Sequence, residues 1–98
     1  LSGRMMAVDE AVRWGLINRH AAEGQALAAA KALAAEVAQN APLSLAATKK
    51  VVSEAARWPE AEVWARQNAI LEDVITSEDA REGARAFAEK RPPVWRGR

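Results

Sequence analysis

Phe87 and Lys90 stand three residues apart near the end of the 98-residue chain, with Arg91, Arg96 and Arg98 close behind. Residues at that spacing are neighbours on a helix surface, so an aromatic ring and an ammonium would share one face. Such a pair suits a planar base that carries phosphates: the ring covers the base and the cations meet the phosphate oxygens. The same residues fit a plainer reading, with Phe87 a core side chain and Lys90, Arg91, Arg96 and Arg98 solvated charges. Type and spacing alone leave both open.

The element that must position this pair is delimited on both sides. Ser77 can accept from the unpaired amides of a first turn, and Glu78 and Asp79 suit the positive end of the helix dipole. A helix is therefore predicted to start near Glu78. Lys90 and Arg91 suit its negative end, and Pro92-Pro93 cannot continue it, because proline lacks an amide hydrogen and restricts the residue before it.

Upstream, breakers divide the chain into further helices. Val8 to Trp14 is a short one with Asp9 and Glu10 in its first turn and Gly15 available for a left-handed end, although Ala7 offers no side-chain cap. Gln25 to Gln39 is alanine-rich, with Leu27, Ala30, Ala34, Val37 and Ala38 recurring on one face opposite Lys31 and Glu36. Pro42 can open the next helix, running to about Arg57, where its missing amide costs nothing. Its stripe is Leu43, Ala47, Val51 and Ala55, widened by Leu45, Val52 and Ala56. Lys49 and Lys50 read as solvent-exposed, with a phosphate contact as the alternative. After Trp58-Pro59, Glu60 and Glu62 open a helix whose expected buried side is Val63, Ile70, Leu71 and Val74.

Composition sets further bounds. Alanine makes up about a quarter of the residues, which favours helix but adds little area to a core, so a partner surface is expected to matter. Fourteen basic against thirteen acidic residues, a net charge of +1, lack the excess of a general nucleic-acid binder. With no cysteine and a single His20, neither disulfides nor a side-chain metal site is expected. No apolar run reaches the roughly 18 residues that suggest a membrane span, and a cytoplasmic location is the default.

Three stretches carry a resemblance. Ser77-Glu78-Asp79-Ala80-Arg81-Glu82-Gly83, then Ala86-Phe87 and Glu89-Lys90-Arg91-Pro92-Pro93-Val94-Trp95, closely resembles the C-terminal signature of the enoyl-CoA hydratase/isomerase (crotonase) superfamily. Leu1-Ser2-Gly3-Arg4-Met5-Met6 with Asp9-Glu10-Ala11 and Trp14-Gly15-Leu16-Ile17-Asn18-Arg19 is similar to a second family stretch. Asn40-Ala41-Pro42-Leu43 and Ala47-Thr48-Lys49-Lys50 are similar to the junction between them. The matches lie in family order over nearly the whole chain. Departures are Ala7 where the family has serine or threonine, His20-Ala21-Ala22 where it often has an apolar pair and proline, and Ile75 where it often has phenylalanine.

The resemblance implies a mainly α chain of four to five helices, the C-terminal helical subdomain of a crotonase-like fold. Residues 1–24 would be a short helix and extended segment continuing from an N-terminal α/β core absent from this chain. Residues 25–98 would be a subdomain for oligomerisation and for covering the acyl-CoA site. The backbone amides that hold the thioester oxygen, and the carboxylates that work on water, belong to the family's N-terminal part. No catalytic residue is therefore expected here, and residues 1–98 alone are expected to be inactive, in keeping with a chain that begins at Leu1 and not at methionine. Phe87 and Lys90 match positions that in the family's hydratases can contact the adenosine end of a CoA bound mainly by an adjacent subunit; Arg91 and Arg96 are weaker candidates, on charge alone. The implied partners are an acyl-CoA, which is substrate and not cofactor, the core of the same polypeptide, and identical subunits in a trimer or hexamer. Trp14, Trp58, Trp64 and Trp95 are the first side chains to inspect for such contacts. The alternative is a helical assembly module with no small-molecule ligand.

Overall fold

A computed structural model of the chain describes residues 2–98; Leu1, the first residue of the second matching stretch, lies outside them. Among the described residues there are five α-helices and no strand: α1 (Val8–Arg13), α2 (Ala26–Val37), α3 (Pro42–Glu54), α4 (Val63–Ile75) and α5 (Glu78–Glu89). Contacts divide the chain into two compact units, one ending at Ala35 and one spanning Glu36–Arg98.

In the first unit, α1 begins after Ala7 without a side-chain cap, as its methyl group dictates. Arg4 compensates from outside the helix. Its guanidinium forms a bidentate pair with Glu10 in the first turn, one bond being 2.8 Å, and the pairing lowers the Glu10 pKa. Gly15 ends the helix at φ 71°, a conformation that spares it the Cβ penalty, while the Leu16 amide reaches back to the Ala11 carbonyl at 2.9 Å. The extended segment expected within residues 1–24 is not continuous after α1. Leu16, Ile17 and Asn18 form a bend.

The apolar face named for α2 is open within this chain. Leu27 is 69% and Val37 46% exposed, and Ala29 and Leu33 are the half-covered residues instead. The helix is alanine on nearly every side, so its period does not single out one face.

In the second unit, Pro42 opens α3 as expected, and the helix passes into a 3-10 turn at Ala55–Arg57. Ala47 is buried and Leu43, Val51 and Ala55 are half-buried, but Val52, assigned to the margin of the stripe, is 74% exposed. A 3-10 turn at Glu60–Glu62 leads into α4, whose Val63, Ile70, Leu71 and Val74 are the covered side, against α3. Asn40 closes the preceding turn, its side-chain amide donating to the Val37 carbonyl at 3.0 Å.

Ser77 makes the corner between α4 and α5. Its hydroxyl accepts from the Ala80 amide at 3.0 Å, the expected cap, and also donates to the Val74 carbonyl at 2.6 Å. One side chain thus satisfies an orphan group on each of two helices.

Candidate functional site

Helix α5 places its chemistry on several sides. Phe87 is 88% exposed, which removes the reading of it as a core residue of this chain. The helix ends at Glu89, and Lys90 takes the left-handed conformation, φ 53° and ψ 41°. Its amide donates to the Phe87 carbonyl at 3.3 Å, and the Arg91 amide to the Ala86 carbonyl at 3.1 Å. These two bonds form the Schellman closure of a helix, with lysine where glycine is usual. Phe87 and Lys90 are therefore joined at the helix end by a backbone bond. Lys90 is not on the helical face that its spacing predicts, since it lies past the last helical residue. No carboxylate among the described residues pairs with its ammonium.

Arg91 is not available to a phosphate in the same way. Its guanidinium grips Glu82 through two bonds of 2.6 and 3.1 Å and Glu89 through one of 2.6 Å. Glu82 also accepts from the Val94 amide at 3.0 Å. The Arg91 hydrogen bonds, and then that of Val94, hold the Glu82 carboxyl at about 2, well below its usual range. The same pairing raises Arg91. Arg91 thus fastens the chain after Pro92 to α5.

A second fastening lies at the other end of the helix. Asp79 is 2% exposed, and its carboxylate accepts from the Arg96 amide at 2.7 Å and the Gly97 amide at 2.8 Å. The Asp79 amide in turn donates to the Arg98 carbonyl at 3.1 Å. Sequence reasoning assigned Asp79 to the helix dipole alone; its role as receiver of the tail depends on a fold-back of 17 and 18 residues that no local pattern announces. The Arg96 side chain remains exposed, 3.8 Å from Glu78. Between the two fastenings, Trp95 lies over Gly83, where an added Cβ would stand 3.2 Å from the indole, and its Nε1 donates to the Gln39 carbonyl at 2.7 Å.

Of the other tryptophans, Trp14 and Trp64 are 73% and 71% exposed, and Trp58 is half-buried. Lys49 and Lys50 are exposed. Among the described residues, no group of three His, Cys, Asp or Glu side chains could hold a metal ion, and no helix is long and apolar enough to cross a membrane.

Sequence comparison with known families decides the kinship. A profile of the enoyl-CoA hydratase/isomerase family matches residues 1–98. The chain belongs to that family. A carnitinyl-CoA dehydratase from Salmonella typhi is 39% identical over 102 aligned residues, covering 100% of this chain and 39% of the relative. An enoyl-CoA hydratase from Mycobacterium marinum, known from its crystal structure, superposes with a TM-score of 0.91 at 44% identity, over 99% of this chain and 38% of that one. Another, from Mycobacterium tuberculosis H37Rv, gives 0.88 at 46% identity, over 92% of this chain and 36% of that one. The chain thus spans about two-fifths of the length of these family members, and its all-helical architecture is that of the matching part of the crotonase fold.

Proposed function

We propose that the protein to which these residues belong is a hydratase-type lyase acting on acyl-CoA thioesters, adding water across the 2,3 double bond of an enoyl-CoA in fatty-acid metabolism. The supporting observation is the family match along all of residues 1–98, together with an aromatic ring and an ammonium without an ion pair among the described residues, both exposed at one helix end. Phe87 covers the adenine and Lys90 opposes a phosphate of the CoA. The adenosine is then held by stacking and charge, and the thioester by groups elsewhere in the parent chain. On this reading residues 1–98 carry no catalytic group and turn over no substrate by themselves. The family resemblance implies that the amides polarising the thioester, and the carboxylates activating water, come from the three-fifths of the relatives' length that this chain does not cover.

The reaction breaks the C2–C3 π bond and one O–H bond of water, forms a C–O bond at carbon 3 and a C–H bond at carbon 2, involves no net oxidation or reduction, and needs no redox cofactor. It runs in either direction, and the relative named a carnitinyl-CoA dehydratase favours a 3-hydroxyacyl-CoA as the physiological starting material as a second reading. The working form is a homo-oligomer, trimer or hexamer, in which exposed apolar residues such as Trp64 meet a neighbouring subunit, and the location is cytoplasmic.

The test is hydration of crotonyl-CoA by the full-length protein, with Phe87→Ala and Lys90→Glu compared at two acyl-chain lengths. Stacking is worth about 1–3 kcal/mol per base, so Phe87→Ala should raise KM roughly tenfold at both lengths with little change in kcat. Unchanged KM values would remove the CoA contact. Absence of both hydration and CoA-ester binding would favour an assembly module.

A further inference from the structure

We infer that Arg81 and Arg85 form a binding site for a phosphoryl dianion, on the side of α5 away from Phe87. A cavity of about 440 Å³ in the second unit is lined by both guanidiniums and by the tail at Val94 and Arg96. That volume lies within the range of about 300–1,000 Å³ usual for small-molecule sites. Around the α5 axis, at about 100° per residue, Arg81 and Arg85 stand about 40° apart, and Phe87 about 120° and 160° from them. The site is therefore separate from the CoA contact proposed above and does not rest on it.

The charges of the lining show what is left over. Every carboxylate there is already engaged: Glu78 by Arg96 and Arg98, Asp79 by the tail amides, Glu82 by Arg91 and the Val94 amide, with the Arg85 charge acting on it at longer range. Arg91 is engaged in return. Arg81 and Arg85 alone of the cavity's charged groups have no hydrogen bond or ion pair among the described residues. Two like charges one turn apart repel each other, and an anion between them removes that repulsion. Each guanidinium presents a planar fork of donors. A monocarboxylate fills one fork with its two oxygens, whereas a phosphoryl group offers three oxygens and two negative charges, enough for both.

Inorganic pyrophosphate and glycerol 3-phosphate are titrated in parallel into the full-length protein at low salt, with heat of binding as the readout. Saturable binding of either at one site per chain is expected, and the tighter of the two tells whether the natural ligand is a diphosphate or a monoester. The double variant Arg81→Gln/Arg85→Gln should weaken that binding at least tenfold. Phe87→Ala/Lys90→Gln should leave it within twofold. The inference is overturned if neither probe saturates at millimolar concentration, if the arginine double variant binds as well as the parent while melting at the same temperature, or if the Phe87/Lys90 variant loses binding equally. Because the readout is not hydration, an inactive protein that still binds pyrophosphate would defeat the proposed function and leave this site standing.

Discussion

Lys90 stands in a backbone conformation that glycine adopts freely and that costs other residues about 1–2 kcal/mol. The phosphate contact proposed for its ammonium would set its charge against that cost. Lys90→Gly separates the two effects. It should raise the melting temperature, in line with a gain of about 1 kcal/mol, while weakening CoA-ester binding; a higher melting temperature with unaltered affinity would reduce Lys90 to surface. Ser77 and Asp79 illustrate the opposite case, side chains whose removal leaves donors or acceptors stranded. Ser77→Ala should cost about 1 kcal/mol by denaturant titration. Asp79→Ala should cost more, about 2–4 kcal/mol, because two tail amides lose a charged acceptor in a buried place.

At the scale of the element, α5 and the tail form one unit held by Asp79, Glu82 and Trp95. Gly83 reports on how tight that unit is. Alanine in mid-helix is favoured over glycine by about 1 kcal/mol, yet its methyl would stand 3.2 Å from an indole tethered to Gln39. Gly83→Ala is therefore expected to stabilise the protein in a Trp95→Ala background and to lose that gain, or reverse it, with Trp95 in place. A double-mutant cycle measures the difference. The Glu82–Arg91 pair gives the unit a pH signature. The folded carboxyl is depressed from 4.5 to about 2, so the stability it contributes is complete above about pH 4.5 and is lost as pH falls through about 2. Glu82→Gln should flatten that part of an acid-unfolding curve, and a curve of unchanged slope would assign acid sensitivity to other groups.

At the scale of the whole chain, the buried apolar side chains among the described residues are three alanines, Ala11, Ala47 and Ala86, while Leu27, Val52, Trp64 and Phe87 are among the large ones left exposed. Alanine lets helices approach closely but buries little area, so the helices have apolar surface to offer to something else. The proposed subunit contact predicts that Trp64→Asp in the full-length protein lowers the mass seen by sedimentation, with far-ultraviolet circular dichroism preserved. An unchanged mass would place Trp64 outside any subunit contact.

Helix existence was legible along the chain because its punctuation is local: Gly15, Pro42, Pro59, Ser77 and Pro92-Pro93 each act within a turn of where they stand. The α4 face was legible too, its large aliphatics being separated by polar residues, whereas on α2 the alanines erased the contrast that a period needs. The family was carried by short ordered stretches, and these fixed Phe87 and Lys90 as candidates. What only the tertiary structure decided is which charges are already taken. Arg81, Arg85, Arg91 and Arg96 look alike in sequence, and a chain that folds back from Val94 onto Asp79 and Glu82 engages Arg91 while leaving Arg81 and Arg85 without a hydrogen bond or ion pair among the described residues. Capping and helix termination are settled by neighbours within about four residues, but ion pairing depends on which distant groups the packing brings within reach.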